Sequence, residues 1–307
     1  MRPFRLLAAL CAALSVLAAA PARAALNVVT TVPDLAALTK AVGGKHVEVQ
    51  ALALGSQDPH FVDAKPSLAL ALNRADLLVA LGLDMEIGWL PTLQLGARNP
   101  KIQVGGTGYL NASQFPRVLE IPPGKVDRSM GDVHPGGNPH YLYDPRQAVP
   151  VARGIAERLT QLDPKNAADY RANLAKFTEE LEKARADWEK RLAPLKGAPV
   201  IAYHKTTAYL ADWLGFDTIG FLEPKPGIPP NPAHVAGVLA LGRQRKARMV
   251  LVESYYPETT AKLVASKIPA PVVILHGGTD FRSGETYVQH VNETVGRLEK
   301  ALTGKGG

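Results

Sequence analysis

The sequence predicts an α/β protein made of two lobes that one long helix joins. Short apolar runs alternate with amphipathic segments in both halves of the chain, and a long stretch with helical spacing separates the halves. Strand–helix–strand units place their strands parallel, with helices on both faces of the sheet. Each lobe is therefore expected to be Rossmann-like, with a mainly parallel sheet flanked by helices.

The first half of the chain alternates between predicted strands and predicted helices. Pro66 lies at the start of one of these helices, where its missing N–H costs nothing. Strands are predicted at 26–31, 47–54 and 76–81, and helices at 33–42 and 66–73. The Gly/Pro-rich stretch 111–139 predicts a long loop near a site, because long structureless loops are usually functional or disordered.

A strong helical pattern follows at 163–194 and ends at Pro194. About 29 of these residues, at 1.5 Å each, predict a helix of roughly 40 Å, a rigid connection between lobes. The alternative is a solvent-facing amphipathic helix within a single domain. The apolar positions recur at steps of three and four: Tyr170, Leu174, Phe177, Leu181, Ala184, Trp188 and Leu192. The expected division is an N-terminal lobe at 25–162, a linking helix at 163–194 and a C-terminal lobe at 195–307.

The alternation resumes after the long helix. A Pro-rich loop is expected at 223–232. Strands are predicted at 198–203, 216–220, 249–253 and 272–275, and helices at 205–214, 232–245, 259–267 and 286–301. The second half therefore predicts a second parallel sheet.

Residues 1–24 have the pattern of a cleaved signal peptide. Arg2 and Arg5 precede an apolar run at 6–20, and Ala22-Arg23-Ala24 fits the small-x-small cleavage rule. The apolar run is shorter than the about 20 residues that a membrane-spanning helix needs, which disfavours the alternative of a short anchor. We expect cleavage between Ala24 and Ala25 and a periplasmic location.

Cysteine and charge exclude several classes of protein. Cys11 is the only cysteine and lies in the predicted signal peptide, so the mature chain has neither disulfides nor thiolate metal ligands. Leu10 stands where a lipoprotein signal needs a small residue, which argues against lipid anchoring. Cleavage lowers the formal charge from +7 to +4, because three arginines leave. Without a Lys/Arg-rich run, nucleic-acid binding is not expected.

Four side chains are candidates for a ligand site: three follow predicted strands, where an α/β fold places ligands, and His140 lies at the end of the irregular loop. They are His60, His140, His204 and Asp280, two from each half. Three imidazoles and one carboxylate suit zinc and similar metals. Spacing alone leaves this quartet as one choice among the eight histidines of the chain.

The chain resembles the metal-specific solute-binding proteins of ABC importers, the ZnuA/TroA type (cluster A-I). The resembling pieces run in order over essentially the whole mature chain. They are Asp58-Pro59-His60 with Pro66-Ser67, Ala75-Asp76-Leu77-Leu78-Val79 with Gly82-Leu83, Asn138-Pro139-His140 with Asp144-Pro145, Tyr170-Arg171-Ala172-Asn173-Leu174, His204-Lys205-Thr206-Thr207-Ala208-Tyr209, Val252-Glu253-Ser254, and Asp280 with Thr286-Tyr287 and Asn292.

The resemblance implies that His60, His140, His204 and Asp280 bind a transported metal between the lobes. Zinc is favoured, because manganese binders of this type often have a carboxylate in place of His204. The chain lacks the charged His-rich loop of many zinc members, which keeps manganese or iron open and suggests loading by a periplasmic metallochaperone. The expected partners are an ABC permease and its cytoplasmic ATPase, and the protein itself is expected to be a monomer.

Other residues and functions are weaker candidates. His134 is a loop histidine that could capture metal transiently, and Glu253 could support a ligand or replace one. The residues taken as non-ligands are His46, His234, His276 and His290. Leu142 stands where the family usually has a tryptophan, which bears on the packing behind His140.

A zinc hydrolase is the alternative function, but the chain has no His-Glu-x-x-His or Gly-x-Ser-x-Gly motif, so an enzyme is not expected. A surface adhesin is disfavoured by the missing lipid anchor.

Overall fold

The computed structural model describes residues 25–304. The predicted signal peptide at 1–24 lies outside the described residues. Among the helices of residues 25–304, none combines the length and hydrophobicity needed to cross a bilayer.

The N-terminal sheet has four parallel strands in the order β2-β1-β3-β4. All four residues of β3 are buried, as expected for a parallel sheet covered on both faces. Its strands are β1 (Leu26–Thr30), β2 (Val47–Ala51), β3 (Leu77–Ala80) and β4 (Tyr109–Asn111). Its helices are α1 (Pro33–Gly43), α2 (Pro66–Arg74), α3 (Leu90–Ala97) and α4 (Pro145–Leu162).

The C-terminal sheet repeats this arrangement with four parallel strands in the order β6-β5-β7-β8. The two lobes therefore share one topology, although the sequence shows no repeat that would reveal it. The strands are β5 (Pro199–Ala202), β6 (Asp217–Phe221), β7 (Met249–Glu253) and β8 (Val272–Leu275). The helices are α6 (Ala208–Leu214), α7 (Pro232–Arg245), α8 (Glu258–Lys267) and α9 (Tyr287–Thr303).

The helix α5 (Ala167–Arg191) connects the lobes, with 3-10 turns at Pro164–Asn166 and Ala193–Leu195 at its ends. Its 25 residues span roughly 38 Å. The helix packs on α1 and α4 of the N-terminal lobe and on α9 of the C-terminal lobe. Trp188 donates a hydrogen bond through Nε1 to Asn292 Oδ1 at 3.0 Å. The predicted long connecting helix and the α/β fold class are confirmed, and the exact lobe boundaries stay predictions.

One continuous cluster of buried apolar side chains extends from the N-terminal sheet through α5 to the C-terminal sheet. Two tyrosine hydroxyls add polar contacts between the lobes. Tyr209 accepts from the Leu119 amide at 2.9 Å and donates to the Asn138 carbonyl at 2.8 Å. Tyr287 donates to the Leu142 carbonyl at 2.8 Å. The segment that carries His140 is thus attached to both lobes.

Candidate metal site

Three of the four predicted ligands converge where the lobes meet. His60 follows β2, His140 precedes α4, and His204 follows β5 after one residue. One ring nitrogen from each lies within 4.8 Å of the other two. All three residues are buried, with exposed fractions of 9%, 6% and 2%. The ring centroids are 5.3 to 5.6 Å apart, so the three imidazoles form a compact buried group.

His60 and His140 are oriented by the same local motif. The Asp58 carboxylate Oδ1 accepts from the backbone N–H of His60 at 2.9 Å and from its ring Nδ1 at 2.7 Å. The Asn138 amide Oδ1 accepts from the same two groups of His140, each at 2.9 Å. Because each Nδ1 donates, the lone pair of each imidazole lies on Nε2.

His204 obtains its orientation from a more distant residue. Its Nδ1 donates to Glu223 Oε2 at 2.6 Å, and both side chains are buried. The same oxygen accepts from the Gly227 amide at 3.1 Å. Sequence reasoning did not identify Glu223. Glu223 lies two residues beyond β6, and β6 pairs with β5, the strand that leads to His204. This position could have indicated that Glu223 lies near the site.

The Nε2 atom of His140 is buried and has no hydrogen-bond partner. Leaving a buried polar atom unpaired costs about 1–3 kcal/mol, so such atoms in native structures need an explanation. Here the three Nδ1 atoms are paired with oxygens, and the remaining ring nitrogens gather in one place. Oxygen acceptors on the outer nitrogen commonly orient metal-binding histidines, and neutral Nε2 atoms are good zinc ligands.

The surroundings lower the pKa of one ring, His140, and raise the pKa of another, His204. Burial and the rings of His60, His204 and His134 lower the pKa of His140 well below its ordinary value, so this ring is neutral near pH 7. Burial also lowers the pKa of His204, but the hydrogen bond and charge of Glu223, with Glu253 and Asp58 nearby, outweigh it and raise that pKa. A proton therefore competes with a metal for His204 more strongly than for His140.

His134, the loop histidine of the sequence analysis, lies beside this group. Its Nε2 is 3.3 Å from Nε2 of His60, and the two ring centroids are 5.4 Å apart. The side chain is half-buried. Burial and the neighbouring His60 lower the pKa of His134 to about 4, so this ring is also neutral near pH 7.

Asp280, the fourth predicted ligand, is not brought to the three histidines. It is exposed and lines a different cavity, together with Ser254 and His276. Its neighbour Thr279 is fully buried and donates its backbone N–H to Asp34 Oδ1 at 3.0 Å. This contact fixes the segment with Asp280 facing outward, and a ligand role for Asp280 stays a prediction.

Glu253 is buried next to the site but does not join the histidines. Its Oε1 accepts from the hydroxyl of Thr206, and its Oε2 is buried without a hydrogen-bond partner. Burial raises the pKa of Glu253 to about 7. The four remaining histidines lie outside the group of three: His46, His234, His276 and His290.

Comparison with known proteins agrees with this geometry. A family described as zinc-uptake complex component A, periplasmic, matches residues 28–301. The chain is 27% identical to the manganese ABC transporter substrate-binding lipoprotein PsaA of Streptococcus pneumoniae, over 80% of this chain and 78% of PsaA. It is 29% identical to the high-affinity zinc uptake system protein ZnuA of Paracoccus denitrificans, over 65% of this chain and 68% of that protein.

A solved structure supports the same fold. The crystal structure of a zinc-bound deletion mutant of ZnuA superposes with a TM-score of 0.75 at 25% identity, covering 91% of this chain and 98% of the other. Relatives named for zinc and for manganese both occur, so the likeness identifies a class of metal-binding proteins and leaves the metal to be determined from the site.

Proposed function

The chain belongs to the family of periplasmic zinc-uptake component A proteins, and from this premise we propose that it captures Zn²⁺ with His60, His140 and His204 and delivers it to an ABC importer. The family consists of substrate-binding proteins of importers and not of enzymes. The metal is the transported substrate and not a resident cofactor.

The observation that carries the proposal is the shared orientation of the three imidazoles. Each Nδ1 donates to an oxygen, and the Nε2 of His140 is buried without a partner. Imidazole nitrogens suit zinc, copper, nickel and iron, whereas manganese prefers carboxylates, carbonyls and water. The supply of three nitrogens in a buried site therefore favours zinc over manganese.

Manganese is the second candidate, and the relative named as a manganese lipoprotein favours it. A manganese site needs harder oxygen ligands. Asp280 is the residue that the family resemblance predicts for this, but binding through it requires the segment after β8 to turn inward. Iron is a further candidate, because imidazole nitrogens also suit it.

The proposed cycle places the protein in the periplasm after removal of residues 1–24. There it works as a monomer with an ABC permease and a cytoplasmic ATPase, and a metallochaperone could load it. Because α5 is stiff and the two lobes share one apolar cluster, we expect only modest closure around the metal.

Calorimetric titration of the metal-stripped mature protein with Zn²⁺ and with Mn²⁺ tests the proposal. We expect one zinc per chain, bound more tightly than manganese, and a large loss of zinc affinity in His204→Ala. His46→Ala is the matched control, because it removes an imidazole that pairs with Asp169 away from the site. Absence of tight binding of either metal, or equal zinc affinity of His204→Ala and the wild type, would contradict the proposal.

A further inference from the structure

We propose that His134 supplies a fourth nitrogen ligand, so that the bound metal is held by four imidazoles. This inference rests on the proposed function and deepens it, because it names the ligand that completes the site. It also separates two alternatives: a site of four nitrogens, and a site of three nitrogens and the Asp280 carboxylate.

The distance between His134 and His60 fits two ligands of one tetrahedral zinc ion. With Zn–N bonds of about 2.0–2.1 Å and tetrahedral angles, two ligand nitrogens lie about 3.3–3.4 Å apart. The two Nε2 atoms are 3.3 Å apart. Within residues 25–304, the group of nitrogens that all lie within 4.8 Å of one another comes from His60, His140 and His204. Binding must therefore also draw the His134 ring inward.

His134 faces the same cavity as two of the other histidines. His134, His140 and His204 line it together, with Lys205 and Glu120 also at its wall. Asp280 lines a separate cavity and is exposed. A small inward movement of one ring therefore completes a four-nitrogen site, whereas Asp280 needs its whole segment to turn.

The loop that carries His134 is attached to both lobes. The backbone of Leu83 in the N-terminal lobe lies close enough to its ring to raise the pKa of His134, which partly offsets the effect of burial. Two residues earlier, the Asp132 amide donates to the Pro226 carbonyl at 2.8 Å. Pro226 belongs to the loop that also contains Glu223, the partner of His204. The loop is thus anchored on both sides of the metal site and places His134 at its opening.

Negative charge near the site comes from carboxylates that contact the histidine rings and do not bind the metal directly. Carboxylate oxygens contact the Nδ1 atoms of His60 and His204. Such carboxylates make the imidazoles more basic without binding the metal. A further carboxylate in direct contact is therefore not needed, and four neutral nitrogens favour zinc over manganese.

Zinc competition titrations and zinc X-ray absorption on the full mature chain test this inference. His134→Ala is expected to lose at least about tenfold in zinc affinity. Removing only the hydrogen-bond partner of a metal ligand costs about 10–100-fold, and removing a ligand itself should cost no less. The control His46→Ala should bind zinc like the wild type, and Asp280→Ala should lose less zinc affinity than His134→Ala. His134→Asp should lower the ratio of zinc to manganese affinity, because a carboxylate replaces a nitrogen.

X-ray absorption of the wild-type protein is a readout that does not depend on the folding of any variant. It should show four imidazole nitrogens at about 2.0–2.1 Å from zinc, and three nitrogens with an oxygen in His134→Ala. A wild-type spectrum with three nitrogens and an oxygen, together with weakened binding only in Asp280→Ala, overturns the inference and leaves the proposed function intact. Absence of zinc binding by the wild type overturns both.

Discussion

His204 and Glu223 form a buried pair in which the ring Nδ1 donates to the carboxylate Oε2 across 2.6 Å. The histidine follows β5 and the glutamate follows β6, so the pairing of two neighbouring strands brings them together. The contact fixes the tautomer of His204 and directs its Nε2 towards the other two rings. Glu223 therefore positions a ligand without needing to touch the metal.

Replacement of Glu223 should weaken metal binding through His204. We expect Glu223→Ala to lower zinc affinity by about 10–100-fold, as is typical when the partner of a metal-binding histidine is removed. Glu223→Gln should lose less, because its amide oxygen can still accept from Nδ1. Calorimetric titration checks both variants, and equal affinity of Glu223→Ala and wild type would contradict a positioning role.

Metal affinity should fall as the solution becomes acidic, and His204 should set the midpoint. Its pKa is raised, mainly because Glu223 outweighs the effect of burial. Protonation of this ring therefore competes with zinc at higher pH than it would for an ordinary imidazole, while His140, with its lowered pKa, remains neutral. Zinc competition titrations between pH 5 and 8 should show the loss.

The same measurement on Glu223→Gln tests the cause. Without the carboxylate, protonation of His204 should move to lower pH, and the pH at which zinc is lost should move with it. An unchanged midpoint would show that Glu223 does not control the proton affinity of His204.

Asn138 should matter for metal binding through His140. Its Oδ1 holds both the backbone and the ring of this ligand, and its Nδ2 donates to Glu120 Oε2 at 2.8 Å. We expect Asn138→Ala to lower zinc affinity by about 10–100-fold. Asn231→Ala is the matched control: it removes the cap of α7 and should lower stability by about 0.5–2 kcal/mol while leaving zinc binding unchanged. Equal zinc affinities of the two variants would argue against this role.

The linking helix should contribute to stability through its buried face. Leu181 is fully buried in the cluster shared by both lobes. Leu181→Ala should lower the free energy of unfolding by about 2–5 kcal/mol, measured by urea denaturation of the metal-free protein. Leu95→Ala, at a side chain that is 79% exposed, should change it by less than about 0.5 kcal/mol. Similar losses of unfolding free energy in both variants would contradict a stabilising role of the buried face of α5.

The features that follow from local patterns could be predicted from the sequence. The strand β8 and the helix α7 have the predicted bounds. His60 and His204 lie beyond strands, as expected. The helix α4 was missed, since Pro150 lies inside it and a proline there removes a helical hydrogen bond. It begins at Pro145 with Asp144 as its cap, six residues after the irregular loop was expected to end.

The features that depend on distant contacts could not be predicted. The outward position of Asp280 follows from the bond between Thr279 and Asp34, which are 245 positions apart in the chain. Glu223 becomes a partner of His204 only through the pairing of β5 with β6. His134 was recognised as a candidate, but its distance from His60 depends on how the loop packs against Leu83 and Pro226.

The central claim is that Nε2 of His60, His140 and His204 binds the transported metal. A crystal structure of the zinc-loaded protein, with diffraction recorded on both sides of the zinc absorption edge, tests it most directly. The account predicts one anomalous peak per chain, about 2.0–2.1 Å from these three nitrogens. A peak bound elsewhere, or bound through Nδ1 with the contacts to Asp58, Asn138 and Glu223 broken, would contradict it.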